Sequence, residues 1–204
     1  RRYPNLPVLL KILKSHPELL KKLHPQFIPE YTHGDLLLRN VLRLPDGNLR
    51  LIDVRGADLP ENAPSRIDIT YELGKIAHSF LLELVRNDLF DLHIRRKGND
   101  FSIELRFKTE LPAVPNFLKA REMLPQFLRE HPALTELLKD EPYWLEKTLF
   151  AEATHFITDA VNRLSQDPSG RHSLAYYEIG TLLLYDFLRS QGIAHLDVKP
   201  DNIL

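Results

Sequence analysis

Apolar residues recur at helical spacing in "LPVLLKILK" (6–14) and again in "SHPELLKKL" (15–23), where Ser15 and Glu18 stand as a capping box with Pro17 in the first turn. Two short helices are therefore expected before residue 25. The pattern then changes: "FIPEYTHGD", "RNVLRL", the turn "PDGN" and "LRLID" give short β-like runs, predicting a small hairpin around residues 41–53. Residues 54–66, "VRGADLPENAPSR", are loop by composition. From Asp68 a long amphipathic helix runs through "ITYELGKIAHSFLLELVR", with Gly74 a mild weakness in it. Alternation on both sides of a Gly-Asn turn in "LHIRRKGNDFSIELRFK" predicts a second, more exposed hairpin at about 92–108. Helices are expected over 115–130, 132–140, 142–163 and 172–190, broken at "EHPA", "DEP" and "SQDPSG". No repeat of 20–50 residues is present. The predicted class is α+β, mainly α, with two small hairpins.

Composition narrows the classes of function. With 204 residues, 43% of them hydrophobic, the chain can bury a sizeable core. A formal net charge of −1 and a pI near 6.8 argue against a nucleic-acid partner, and "RRK" at 95–97 is too short to alter that. No run reaches the roughly 18–20 apolar residues of a membrane span, and "RRYPNLP" lacks a signal-peptide core, so a cytoplasmic location without membrane association is expected. The absence of cysteine excludes disulfides and thiolate metal sites and fits a reducing compartment.

Two segments share one frame. "HGDLLLRNVL" (33–42) and the final "HLDVKPDNIL" (195–204) each have His, Asp two residues on, and Asn five residues after that. Phosphoryl transfer to a hydroxyl needs a base that orients the acceptor, and oxygen ligands that hold Mg²⁺ on the phosphates. Residues 33–53 carry these types compactly. Asp35 would accept the hydroxyl proton, Asn40 would offer a neutral oxygen to Mg²⁺, and Asp53, at the end of "LRLID", would bring a carboxylate to the same metal. A hairpin between Asn40 and Asp53 explains their spacing. His33 reads as a scaffold of the loop. Arg55 and Arg39 are candidates for contact with substrate or phosphate; for Arg55 the alternative is a solvated loop arginine.

"HGDLLLRN" followed by "LIDVRG" resembles the aminoglycoside phosphotransferase and choline kinase-like family. "DITYELGKIAHSF" is similar to the following helix of its sugar- and capsule-type members, and "FAEATHF" and "YYEIGTLLLYDFL" to its closing helices, so the likeness spans roughly residues 26–190. The resemblance implies a protein-kinase-like C-lobe, ATP or GTP with Mg²⁺ as cofactors, and a sugar, aminoglycoside or amino alcohol as acceptor. It also implies that Asp68 braces the catalytic loop; an ordinary helix N-cap is the alternative, one residue being able to do both, and Glu72 stands where the family usually has a second Asp. Glu152 and His155 have Glu-x-x-His spacing, but a di-metal bundle needs two such motifs, so both read as helix-face residues. Trp144 reads as core.

The family's N-terminal lobe, with its phosphate-covering loop and lysine, has no counterpart here. The eight glycines never form Gly-x-Gly, and fewer than 35 residues precede His33. An N-lobe supplied upstream or by another chain is expected. The tail resembles a protein-kinase catalytic loop, with Asp197 as base, Lys199 as phosphate-neutralising cation and Asn202 as metal ligand, but no second magnesium carboxylate follows it. The expected organisation is a phosphotransferase C-lobe over 1–190 and a truncated second loop over 191–204, with Asp35 the working base. A noncatalytic kinase-like scaffold module, or a protein kinase fragment resting on Lys199, are the alternatives.

Overall fold

A computed structural model describes residues 3–25, 33–55, 68–98 and 100–193. Helices α1 (Leu6–Lys14) and α2 (Pro17–Lys22) precede a hairpin of β1 (Val41–Arg43) and β2 (Leu49–Leu51). The long α3 (Ile69–Arg86) leads to a second hairpin, β3 (Phe90–Lys97) and β4 (Asp100–Phe107), and then to α4 (Ala113–Glu130), α5 (Pro132–Leu138), α6 (Trp144–Asn162) and α7 (Arg171–Ser190). Both hairpins are antiparallel and separate, Val41 facing Leu51 in one and Phe90 facing Phe107 in the other. The fold is α+β and mainly helical. Among the described residues no helix is long and apolar enough to cross a membrane.

The core forms where α3, α6 and α7 meet. Leu81, Leu82 and Val85 pack with Phe156, Tyr176 and Ile179, and the first residue of β3, Phe90, closes one side. A second cluster joins α1 to α6 and α7 through Leu9, Leu13, Ala153, Leu184 and Leu188. Tyr3 reinforces this junction by donating to the Glu178 carboxylate and stacking on Tyr185. Burial of these side chains contributes about 1.5–3 kcal/mol each and outweighs any local preference.

Three expectations need correction. Ser15 and Glu18 do not form a capping box: the N-cap of α2 is His16, whose side chain makes no cap bond. The helices follow so closely that the Ser15 hydroxyl donates back to the Ile12 carbonyl at 2.7 Å, closing α1 instead. Gly74 is not a weakness, because a Cβ there would stand 2.5 Å from Ala151 Cβ; its missing side chain lets α3 and α6 touch. Gly180 plays the same part between α7 and α6, against Phe156 and Ile157. Trp144 is only partly buried, at the edge of a small cluster of Leu73, Leu128 and Leu138.

Candidate functional site

Residues 33–55 make a loop and hairpin seated on the first turns of α3. Gly34 adopts φ +79°, a left-handed conformation that glycine takes without steric cost, and the chain then tightens into a 3₁₀ turn over Leu38–Asn40. His33 uses both ring nitrogens within the site. Its Nε2 donates to the Ile52 carbonyl at 2.8 Å and its Nδ1 accepts the Asp35 amide at 3.3 Å, which together specify the Nε2–H tautomer. The Arg55 amide donates to the His33 carbonyl at 2.9 Å. The return of the hairpin is thus stitched to the start of the loop, and His33 stands as its scaffold.

Asn40 works from the other side. Its Nδ2 donates to the Asp35 carbonyl at 2.8 Å, while its own carbonyl accepts the Ile52 amide at 2.9 Å. Its Nδ2 is thus used within the loop. Asp53, two residues beyond β2, is exposed and has φ +58°. A left-handed backbone costs a non-glycine residue energy, and Asp is among the side chains that tolerate it best. Its carboxylate makes no ion pair among the described residues.

The buried Asp35 side chain sits between two cations. Lys75 Nζ lies 3.1 Å from Oδ1 and Arg55 Nη2 lies 3.3 Å from Oδ2. Neither contact is visible in the sequence, since Lys75 is forty residues away on α3. Glu72, one turn before Lys75, accepts the Gly34 amide at 2.7 Å, and its other carboxylate oxygen makes no well-formed hydrogen bond among the described residues. Burial raises the Glu72 pKa, against the opposing pull of the Gly34 amide and the nearby His33. Glu72 is therefore a carboxylate that holds the loop. Asp68 caps α3, accepting from the Thr70 amide at 2.8 Å, and faces Lys147 Nζ at 3.5 Å; Lys147 also pairs with Glu141. Sequence reasoning missed Lys75 and the role of Glu72. The available signal was two charges three residues apart, hence neighbours on one helix face, inside an otherwise apolar stretch.

Behind Lys75 the polar column continues inward. His155 Nε2 lies 3.5 Å from the Tyr71 carbonyl, and His78 packs against His155 with Nε2 3.1 Å from Asp159 Oδ2. Burial lowers the pKa of both imidazoles, that of His155 to about 3. Glu152 and His155 lie on the buried face of α6, and Glu152 takes a two-pronged bond from Arg121 at 2.5 and 2.8 Å.

Arg39 is exposed on the 3₁₀ turn. Asp197, Lys199 and Asn202, with the rest of 194–204, lie outside the described residues. Among the described residues no group of three or more His, Cys, Asp or Glu side chains converges on a metal position. Asn40 and Asp53 offer two hard oxygens, a donor set that suits Mg²⁺ because that ion keeps waters and substrate phosphates as its other ligands. No family model, curated protein or solved structure matches the chain.

Proposed function

We propose that residues 33–55 form the acceptor-activating loop of a nucleotide- and Mg²⁺-dependent phosphotransferase that acts on a hydroxyl of a small molecule such as a sugar, aminoglycoside or amino alcohol. The observation that carries the reading is the way the loop is built around a buried carboxylate. Asp35 is fixed from its backbone by Asn40 and His33 and from its side chain by Lys75, while its second oxygen faces the exposed Arg55 among the described residues. Asp35 would take the proton of the acceptor hydroxyl as its oxygen bonds to the γ-phosphorus; the bond to the β-phosphate oxygen breaks, and its electron pair leaves on the nucleoside diphosphate. Asn40 and Asp53 would hold Mg²⁺, which when bound neutralises the phosphates. The family likeness of "HGDLLLRN" and "LIDVRG" supports the same assignment.

A noncatalytic reading draws on the same contacts, because a carboxylate with both oxygens paired to cations is also a plain structural pair. One experiment decides between them. Nucleoside diphosphate release from MgATP and MgGTP is measured with a panel of sugars, aminoglycosides and amino alcohols, for the wild type and Asp35→Asn. Acceptor-dependent turnover that falls by about 10² to 10⁴-fold in the variant supports the enzyme. With the expected N-lobe supplied in the assay, turnover unchanged in Asp35→Asn, or absent from the wild type with every acceptor, favours the scaffold.

A further inference from the structure

The two cations on Asp35 are not equivalent. The Lys75 side chain is 16% exposed and that of Arg55 62% exposed. Lys75 rises from the middle of α3, one turn after Glu72, which clamps the Gly34 amide; Tyr71 and His155 stand beside it. Arg55 hangs from the end of the hairpin and reaches Asp35 by a single contact. Lysine is seldom enclosed unless paired, and enclosing an ion pair returns little net stability compared with apolar packing. A fixed ammonium at this position therefore matters more for where it holds Asp35 than for what it adds to the fold.

The position two residues after Asp35 does not supply that charge. In the C-terminal segment the residue two places after the aspartate is Lys199, whereas the corresponding residue of the first loop is Leu37, 2% exposed and part of the main core cluster. Lys75 brings an ammonium to Asp35 from a neighbouring helix instead.

We infer that Lys75 is the fixed positioning residue of Asp35, holding Oδ1 so that Oδ2 faces the acceptor, and that Arg55 is the exchangeable partner which vacates Oδ2 when an acceptor hydroxyl arrives. The inference rests on the phosphotransferase reading above. In the transfer step the hydroxyl proton passes to Oδ2, and the Lys75 contact on Oδ1 is retained throughout.

The test compares the wild type with Lys75→Met, Lys75→Arg, Asp35→Asn and the double variant Asp35→Asn/Lys75→Met, measuring kcat, acceptor KM and thermal unfolding. Lys75→Met should lower kcat by about 10²-fold with acceptor KM within about threefold, as for an interaction made chiefly in the transition state. Lys75→Arg should keep at least about a tenth of kcat, since it keeps the charge. The double variant should fall no further than Asp35→Asn alone, because a residue that acts through Asp35 has nothing left to act on. A Lys75→Met kcat within about twofold of wild type, beside an inactive Asp35→Asn, overturns the role of Lys75 and leaves the phosphotransferase intact. Activity retained in Asp35→Asn, or none in the wild type when the expected N-lobe is supplied, removes both. A double variant about 10²-fold below Asp35→Asn would place Lys75 on the substrate itself and overturn the positioning role. Should Lys75→Met not fold, Lys75→Arg decides: a kcat below about a hundredth of wild type overturns the inference.

Discussion

Gly74 of α3 and Ala151 of α6 lie so close that a Cβ at position 74 would stand 2.5 Å from that of Ala151, with the Glu152 backbone nitrogen at 3.1 Å. The contact sets the spacing of the two helices that carry Glu72, Lys75, His155 and Lys147. Helix propensity alone favours alanine over glycine by roughly 1 kcal/mol, whereas forcing a methyl into a filled contact costs about 1–3 kcal/mol. Both partners here are a small side chain and backbone, neither of which can turn aside. Gly74→Ala should therefore destabilise the fold by about 1 kcal/mol or more, seen as a lower urea midpoint at unchanged slope. A higher midpoint would mean that the helices part without cost.

Arg121 and Glu152 make a second pairing between distant elements. Glu152 is 1% exposed, and Arg121 on α4 meets both of its oxygens. Arg121→Met strands a carboxylate in the interior and should cost about 3–5 kcal/mol. Arg121→Met/Glu152→Met removes both charges and should recover most of that loss, because the cost lies in the unpaired ion and not in the missing bridge. Chemical denaturation of the single and double variants checks the difference; a double variant no more stable than Arg121→Met would refute it.

How these contacts relate to the sequence depends on their range. The elements were legible because periods of 3.6 and 2 are local: α7 is expected at 172–190 and found at Arg171–Ser190, and the second hairpin is expected at 92–108 and found at Phe90–Phe107. The hairpin that ties His33 and Asn40 to Ile52 was legible for a related reason, since its turn lies between two short β-like runs. Lys75 on Asp35, Arg121 on Glu152 and Gly74 against Ala151 were not, because each joins residues whose meeting is decided by helix packing. Nor does alternation tell what covers a strand: Leu49 and Leu51 of the first hairpin are 69% and 50% exposed.

His155 makes stability depend on pH. Its neighbours are Tyr71, Lys75 and His78 on α3 and Asp159 on its own helix, and desolvation, followed by the positive charge of Lys75, pushes its pKa down to about 3. The unfolded chain, with an imidazole near its ordinary value of about 6.5, then binds more protons than the folded one, so stability rises with pH. The contribution is complete above about pH 6.5 and is lost as pH falls toward 3. His78, lowered by burial, acts in the same direction; Glu72, raised by burial, acts in the opposite one. Comparison with His155→Gln isolates the single group. Between pH 7 and 5 the wild type should lose about 2 kcal/mol more than the variant. Parallel pH curves for the two proteins would show that His155 ionises freely.

Glu72 gives the sharpest separation of charge from hydrogen bonding at the loop. One oxygen accepts the Gly34 amide at 2.7 Å, the other makes no well-formed hydrogen bond among the described residues, and burial raises the carboxyl pKa. Between the unfolded and folded values the folded chain holds the extra proton, so this group's stabilisation is present at low pH and lost as pH rises through the folded pKa. Glu72→Gln keeps an oxygen for Gly34 and has no charge to desolvate. It should match the wild type at low pH and exceed it at pH 7–8, with turnover retained within a few fold. Glu72→Ala leaves the Gly34 amide without its acceptor at a cost of about 1–3 kcal/mol and frees the loop that aims Asp35. Turnover should then fall by about 10 to 10²-fold, the scale of a misplaced catalytic group. Thermal unfolding and turnover at pH 5.5 and 7.5 test both variants together. Equal activity in Glu72→Ala and wild type would mean that the loop holds its shape without α3.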